Sequence, residues 1–393
     1  MSEAPTLLIV SLSARALTQS ARRGGFRVLA IDCFGDADTH EAAAEVRTIP
    51  FDAGGFQVEP LLKQASKLVY RESLAGLVCG SGFEERPELL NALAATCRLY
   101  GNFPETVALV KEPSHWSATL DRLGLTYPET QIEPPPKTDG WLAKRKGGSG
   151  GWHVRSAAAA PRSEAWFYQR RIEGPTYSVL FLADGCHARI IGFNRQWHYG
   201  EVGGSGFAYA GAVSKPELPH SVRDELSEAV ARLTGIFKLR GLNGIDFVLG
   251  SDSRPYLLEL NPRPTATVEL WDGDWAGGLV AAHIRACSGK LPDRCAESAS
   301  VCGHAMVYAQ STFVVPDGLA LPEWCRDIPH GGSVVQVGQP FCSVFAEGAN
   351  AETVQALAWF RRDLIQRSMS STSAGRQECR PAVAAARMAA PIN

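Results

Sequence analysis

The stretch "GIDFVLGSDSRPYLLELNPRP", residues 244–264, constrains the chain more than any other. Two apolar runs of strand length flank a turn-forming "GSDSRP", which predicts an antiparallel hairpin. A register matching Leu249 to Tyr256 sets Asp246 directly opposite Glu259. Side chains alternate along a strand, so Asn261 faces the same way as Glu259 while leucines turn to the core. Like charges facing each other destabilise a sheet unless a cation lies between them. Hard oxygen donors select magnesium or manganese, and magnesium commonly borrows further oxygens from nucleotide phosphates. Asp246, Glu259 and Asn261 are therefore the candidate metal ligands, and Arg263 is the candidate clamp on a phosphoryl oxygen. A solvated hairpin with ordinary surface charges is the plain alternative.

At 393 residues the chain is too long for one ordinary core and should divide into two or three packed units. Its 39 basic and 41 acidic residues leave a net charge of -2, so no global field is available to hold a nucleic acid or an anionic membrane. The start, "MSEAPTLLIVSLSARAL", reads as neither a signal peptide nor a membrane span, and a cytoplasmic location is expected. The 10 cysteines include no C-x-x-C pair, which argues against a zinc ribbon or a redox dithiol. Cys302 and His304, near Cys295, read as packing residues because no matching second pair follows.

"TLLIVSL", "ALTQSARRGG" and "FRVLAIDCF" read as strand, helix and strand, the opening of a parallel sheet. Ser11, Ser13 and Arg15 occupy the turn where a dinucleotide fingerprint needs glycines, so simple NAD binding is not expected. A further strand ends in "GSGFE", placing Gly82 and Glu84 where open parallel sheets bind substrates, or else in a helix-capping turn. After the proline-rich "IEPPPKTDG" the texture changes to short strands, with a hairpin signal at Asp184-Gly185.

"WLAKRKGGSGGWHVR" puts Lys144 on a strand ahead of Gly147, Gly148, Ser149, Gly150 and Gly151, a loop whose bare backbone can approach phosphates and fold over as a lid. It is not a Walker A loop. It matches G-x-S-x-G by letter, but a nucleophile elbow needs a sharp strand-to-helix turn and the following "WHVR" is extended in pattern. "FYQRRIEGPTYSV" joins the halves of the middle region, as a backbone lying along an adenine or as a plain linker.

These residues resemble the ATP-grasp superfamily, and more narrowly the predicted ATP-dependent carboligases related to biotin carboxylase. The resemblance covers most of the chain and is most specific in "GIDFVL...YLLELNPRP". It implies an α/β and α+β fold: a Rossmann-like pre-ATP-grasp domain over 1–105, a two-lobed ATP-grasp domain over 106–290, and a small β-rich C-terminal domain over 291–368. Residues 369–393 lack an apolar period and are expected to form a disordered tail. By the same resemblance Lys111 and Lys144 hold ATP phosphates under the glycine lid. Gln169, the Ile172 backbone and Thr176 would contact adenine and ribose, with Arg170 standing where relatives carry an acid.

The reaction implied is phosphoryl transfer from ATP, with Mg2+ or Mn2+, to a carboxylate, followed by attack of an amine on the acyl phosphate. Arg263 and Lys144 would be catalytic. The expected partners are small carboxylate and amine substrates, linked by association to coenzyme biosynthesis of the methanopterin or methanofuran kind. Neither nucleic acid nor membrane is expected, and a homodimer is one assembly open to the chain. Glu84 with Gly82 is a candidate amine contact, and Arg195, in "FNRQWHYGEVGGSGF" with His198 and Tyr199, a candidate acid contact. A bicarbonate-activating carboxylase and a non-catalytic ATP-binding module are the alternatives.

Overall fold

Apolar runs too short for helices and too continuous for one-sided strands build the front of the molecule. In the computed structural model, which describes residues 4–52, 55–161, 163–202, 206–292 and 300–373, the strand Thr6–Val10 pairs in parallel with Arg27–Asp32 and with Leu74–Cys79. Glu45–Thr48 and Leu99–Tyr100 complete a five-stranded parallel sheet. Both faces are buried: Leu8, Val10, Leu29 and Ile31 pack on helix residues Leu61 and Leu68, while Leu7, Ile9 and Val28 join a second core. Such two-sided burial explains the lack of polar alternation in these strands. At the end of Arg27–Asp32, Asp32 accepts the backbone N–H groups of Ala14 (2.8 Å) and Phe34 (2.6 Å), which closes the two turns flanking the crevice.

The middle region folds as two lobes. The smaller is an antiparallel sheet in the order Val154–Ser156, Trp141–Arg145, Trp166–Arg170, Thr130–Gln131, with Trp141, Ala143, Trp166 and Tyr168 as its core. The larger contains the hairpin expected at Asp184-Gly185, joining Thr176–Asp184 to Ala188–His198. Asp184 shapes that turn by accepting the N–H groups of Cys186 (2.8 Å) and His187 (2.7 Å). The back face of this lobe, including Tyr177, Val179, Phe181, Ile245 and Phe247, packs against the helix His220–Phe237. The other face carries Thr176, Ser178, Asn194, Gln196 and Asp246 near one end of the sheet, as the pairing register requires.

The C-terminal β unit is not a separate sheet. Tyr209–Ser214 pairs antiparallel with Val301–Tyr308, and Pro340–Gly348 and Cys325–Arg326 follow, giving eight strands in one sheet. Without that pairing Tyr209–Ser214 would present an unsatisfied edge. The helix Ala351–Ser373 covers these strands through Val354, Ala358 and Ile365, and it runs past the boundary expected at residue 368. Residues 374–393, the rest of the expected disordered tail, lie outside the described residues, as does Cys295. Among the described residues no helix is long and apolar enough to cross a membrane.

One buried cation fastens the units together. Arg15, at the start of the helix Arg15–Arg23, donates to Glu269 at 3.0 and 2.6 Å and to Asp327 at 2.8 Å, with Asp38 at 3.7 Å. Its side chain is only 4% exposed. Removing one partner of a buried ion cluster leaves the others uncompensated. Arg15→Met should therefore cost about 3–5 kcal/mol in urea unfolding at neutral pH, as expected when a buried pair is broken.

Candidate active site

The hairpin is built as its sequence suggests, with one adjustment. Leu249 pairs with Pro255 rather than Tyr256, so the register at the turn is one residue off the expectation. A bulge between Asp246 and Phe247 on one strand, opposite Leu257 to Glu259 on the other, absorbs the extra residue Leu258 and restores Asp246 opposite Glu259. Asn261 donates from Nδ2 to Asp246 Oδ2 (2.8 Å), and Gln196 Nε2 donates to Asp246 Oδ1 (3.0 Å). Lys111, the last residue of the helix Pro104–Lys111, brings its ammonium to Glu259 Oε2 (3.2 Å) and Asn261 Oδ1 (3.0 Å).

The two facing acids are pushed in opposite directions. Burial and the facing Glu259 push Asp246 up, to about 7. Burial would raise Glu259 as well, but Lys111 and Lys144 together hold it below the usual carboxylate range. The donor set fits a hard divalent cation: two carboxylates and an amide oxygen converge, and an ammonium already lies against two of them. Among the described residues no group of three or more His, Cys, Asp and Glu offers a metal site. The third protein donor here is an amide, so phosphate or water oxygens would have to complete the coordination.

The small-lobe sheet sorts its side chains by period. Phe167 and Gln169 pair with Lys144 and Leu142, whereas Arg170 pairs with Trp141. Lys144 therefore shares a face with Gln169, and burial pulls its pKa down against the opposing effect of Glu259 and Asp246. Gln169 is buried and donates to Thr130 Oγ1 (3.1 Å). Arg170 belongs to the other face: it is exposed and donates to the Asp139 carbonyl (3.1 Å), so its side chain is not directed with Lys144. Ile172 lies on the connector to Thr176–Asp184, and Thr176, opposite Gln196, faces as Asp246 does.

The glycine loop is seated. A Cβ at Gly151, where φ is +78°, would fall 1.9 Å from the Phe207 carbonyl oxygen, and one at Gly147 would fall 2.6 Å from Glu85 Cα. Tyr209 N–H donates to the Gly150 carbonyl (2.9 Å), and Arg263 Nη2 donates to Ser149 Oγ (2.9 Å). Ser149 thus anchors the glycine loop to Arg263, with none of the geometry of a nucleophile elbow. His153 lies so close over Gly148 that a Cβ there would come within 2.2 Å of its ring. Burial lowers the His153 pKa to about 4, so the ring is neutral.

The expected substrate contacts are reassigned. Glu84 accepts the N–H groups of Gly82 (2.8 Å) and Phe83 (2.9 Å) on one oxygen and pairs with Arg263 through the other. Burial favours the neutral acid, but Arg263 and Lys111 keep Glu84 below its ordinary range. Its oxygens are committed to joining the front domain to the hairpin, and Gly82 serves the same turn. Arg195 pairs across from Tyr177, on the back face away from Asp246, because alternation gives the site-facing place to Gln196. A chamber of about 270 Å³ instead lies between the front domain, the lid and the C-terminal strands, bordered by Arg15, Ser149, Tyr209, Arg263, Glu269 and His304. Sequence reasoning missed Gln196, His153, Tyr209 and Glu269; the alternation around Asp246 could have found Gln196, and no local pattern marks the others.

Residues 114–267 match the ATP-grasp domain family, and the chain carries an ATP-grasp domain within a biotin-carboxylase-like fold. No curated protein matches its sequence. Among solved structures, the L-amino acid ligase of Bacillus licheniformis aligns with 92% of this chain and 98% of its own at 14% identity and a TM-score of 0.68. The biotin carboxylase of Campylobacter jejuni aligns over 94% and 95% at 13% identity and a TM-score of 0.70. The N5-carboxyaminoimidazole ribonucleotide synthetase of Thermotoga maritima aligns over 93% and 98% at 13% identity and 0.62. At these identities the likeness establishes the fold.

Two outcomes follow from the geometry. Gly151→Ala places a methyl group on the Phe207 carbonyl at positive φ, a strain of about 1–3 kcal/mol against the seated loop; trypsin should cut at Arg145 or Lys146 faster than in the parent, with and without ATP. Asp246 must lose its raised-pKa proton to bind a cation, so affinity for manganese-ADP should rise with pH up to neutrality and level off above it. Calorimetry from about pH 6 to about pH 8 checks this, and Asp246→Asn should remove the rise.

Proposed function

We propose that the protein is an ATP-dependent carboxylate-amine ligase that forms an amide through an acyl phosphate. The observation that carries this reading is the convergence of Asp246, Glu259 and Asn261 with Lys111, under a seated glycine loop whose Ser149 is bound by Arg263. ATP would lie between the lobes, its adenine along Gln169 and the Ile172 backbone and its ribose near Thr176. Magnesium or manganese held by Asp246, Glu259 and Asn261 would draw charge from the phosphate oxygens.

The chain's own groups do the rest. Lys111 and Lys144 neutralise the phosphate tail, and Arg263, fixed by Glu84 and Ser149, stabilises charge as the γ-phosphoryl passes to a carboxylate oxygen. A carboxylate resists attack, and phosphorylation supplies its leaving group. The lid excludes water that would hydrolyse the acyl phosphate before an amine reaches it. The likeness to biotin carboxylase supports a second reading, in which bicarbonate is the acid activated.

A panel of carboxylates with ATP, magnesium and hydroxylamine separates these readings. A ligase yields ADP and a hydroxamate from a particular acid, whereas a carboxylase releases ADP on bicarbonate alone. Glu259→Gln should lower either rate about 100-fold or more, the scale seen when a preorganised electrostatic group is lost. Unchanged turnover in that variant would remove the site from the mechanism.

A further inference from the structure

The chamber holds a polar pair for which phosphoryl transfer has no use. The Tyr209 hydroxyl lies 2.6 Å from His304 Nε2, with the two rings edge to face. His304 is only 4% exposed, and its Nδ1 has no hydrogen-bond partner among the described residues. The acid facing that nitrogen is Glu269, whose Oε2 lies 3.9 Å away, too far for a hydrogen bond but close enough to favour positive charge on the ring. With Nδ1 facing a carboxylate, the ring carries its proton there, and Nε2 accepts from the phenol. Burial raises the Tyr209 pKa and lowers that of His304, so both are neutral at rest.

Tyr209 is also fixed in relation to the lid. Its N–H bonds the Gly150 carbonyl, and its own carbonyl accepts the Tyr308 hydroxyl (2.5 Å). The chamber's polar end is acidic, since the single charge of Arg15 is shared by Glu269 and Asp327. The remaining wall includes Leu12, Phe34, Phe51, Trp152 and Phe341. An ammonium group on an apolar body suits such a space, whereas a second carboxylate would meet two acids already sharing one cation.

We infer that this chamber takes a primary amine with an apolar body, and that Tyr209 and His304 are the catalytic pair that removes its proton. This rests on the ligase reading. The bound ammonium first gives a proton to the Tyr209 oxygen while the phenolic proton moves to His304 Nε2, leaving an imidazolium that faces Glu269. The free amine then attacks the acyl carbon: the C–N bond forms, the C–O bond to phosphate breaks, and phosphate leaves with the electron pair and takes up the second N–H proton. Glu269 is a positioning residue here, and Arg15 holds it.

The test uses the full-length enzyme and the acid that gives a hydroxamate, with hydroxylamine, benzylamine and n-butylamine as probe amines. Hydroxylamine is uncharged at neutral pH and needs no base to attack. Tyr209→Phe should slow amide formation from the two alkylamines about 100-fold or more, the usual scale for general base catalysis. Hydroxamate formation, which reports the phosphoryl-transfer half, should fall far less. His304→Gln should show the same split with a smaller loss. Alkylamide formation at the parent rate in Tyr209→Phe, or an equal fall in both products, would overturn the assignment of the pair. Hydroxamate without either alkylamide in the parent enzyme would overturn the assignment of the chamber. Absence of any hydroxamate would instead remove the ligase reading, and this inference with it.

Discussion

Two carboxylates facing each other across a hairpin cannot both be ionised at rest without a cation, and this constraint organises the molecule. The chain meets it with Lys111 at the end of a helix, with Gln196 donating to Asp246, and with one acid raised and the other lowered. The arrangement is poised rather than settled. Desolvated charge in the site costs free energy that Lys111, Gln196 and Asn261 offset through hydrogen bonds to the two acids and to each other.

The same economy joins the units. Arg263 leaves the hairpin and meets Glu84 at the end of a front-domain strand, while Arg15 leaves the front domain and meets Glu269 and Asp327 in the rear half. Charge-assisted bonds of this kind are directional, so they set orientation where apolar packing alone would allow sliding. The chamber lies between these two arginines, and its shape depends on both.

Legibility from sequence followed the range of the interaction. The opening strands, the Asp184-Gly185 hairpin and the Asp246–Glu259 pairing are local patterns of period and turn chemistry, and the fold agrees with them. The one-residue slip at Leu249 arose because a bulge at Leu258 leaves no mark in a hydrophobic pattern. Arg170 and Arg195 were attractive by chemistry, but alternation turns each to the wrong face. Glu84 shows the opposite limit: its position at a strand end was read correctly, yet its partner Arg263 is remote in sequence, and only the fold reveals that the acid is already engaged. Tyr209 and His304 meet across strands, a distance that no motif spans.

The shared eight-stranded sheet has a mechanical consequence. Tyr209–Ser214 is hydrogen-bonded on one side to the lobe that carries the acid pair and on the other to the C-terminal strands. The part of the chamber wall that these strands supply, including Tyr209, His304, Met306 and Phe341, is thereby held in one sheet with Asp246 and Glu259. Exchanging side chains on Val301–Tyr308 or Pro340–Gly348 would then reshape the chamber without altering the strands that carry Asp246 and Glu259, so one scaffold can vary the one while keeping the other.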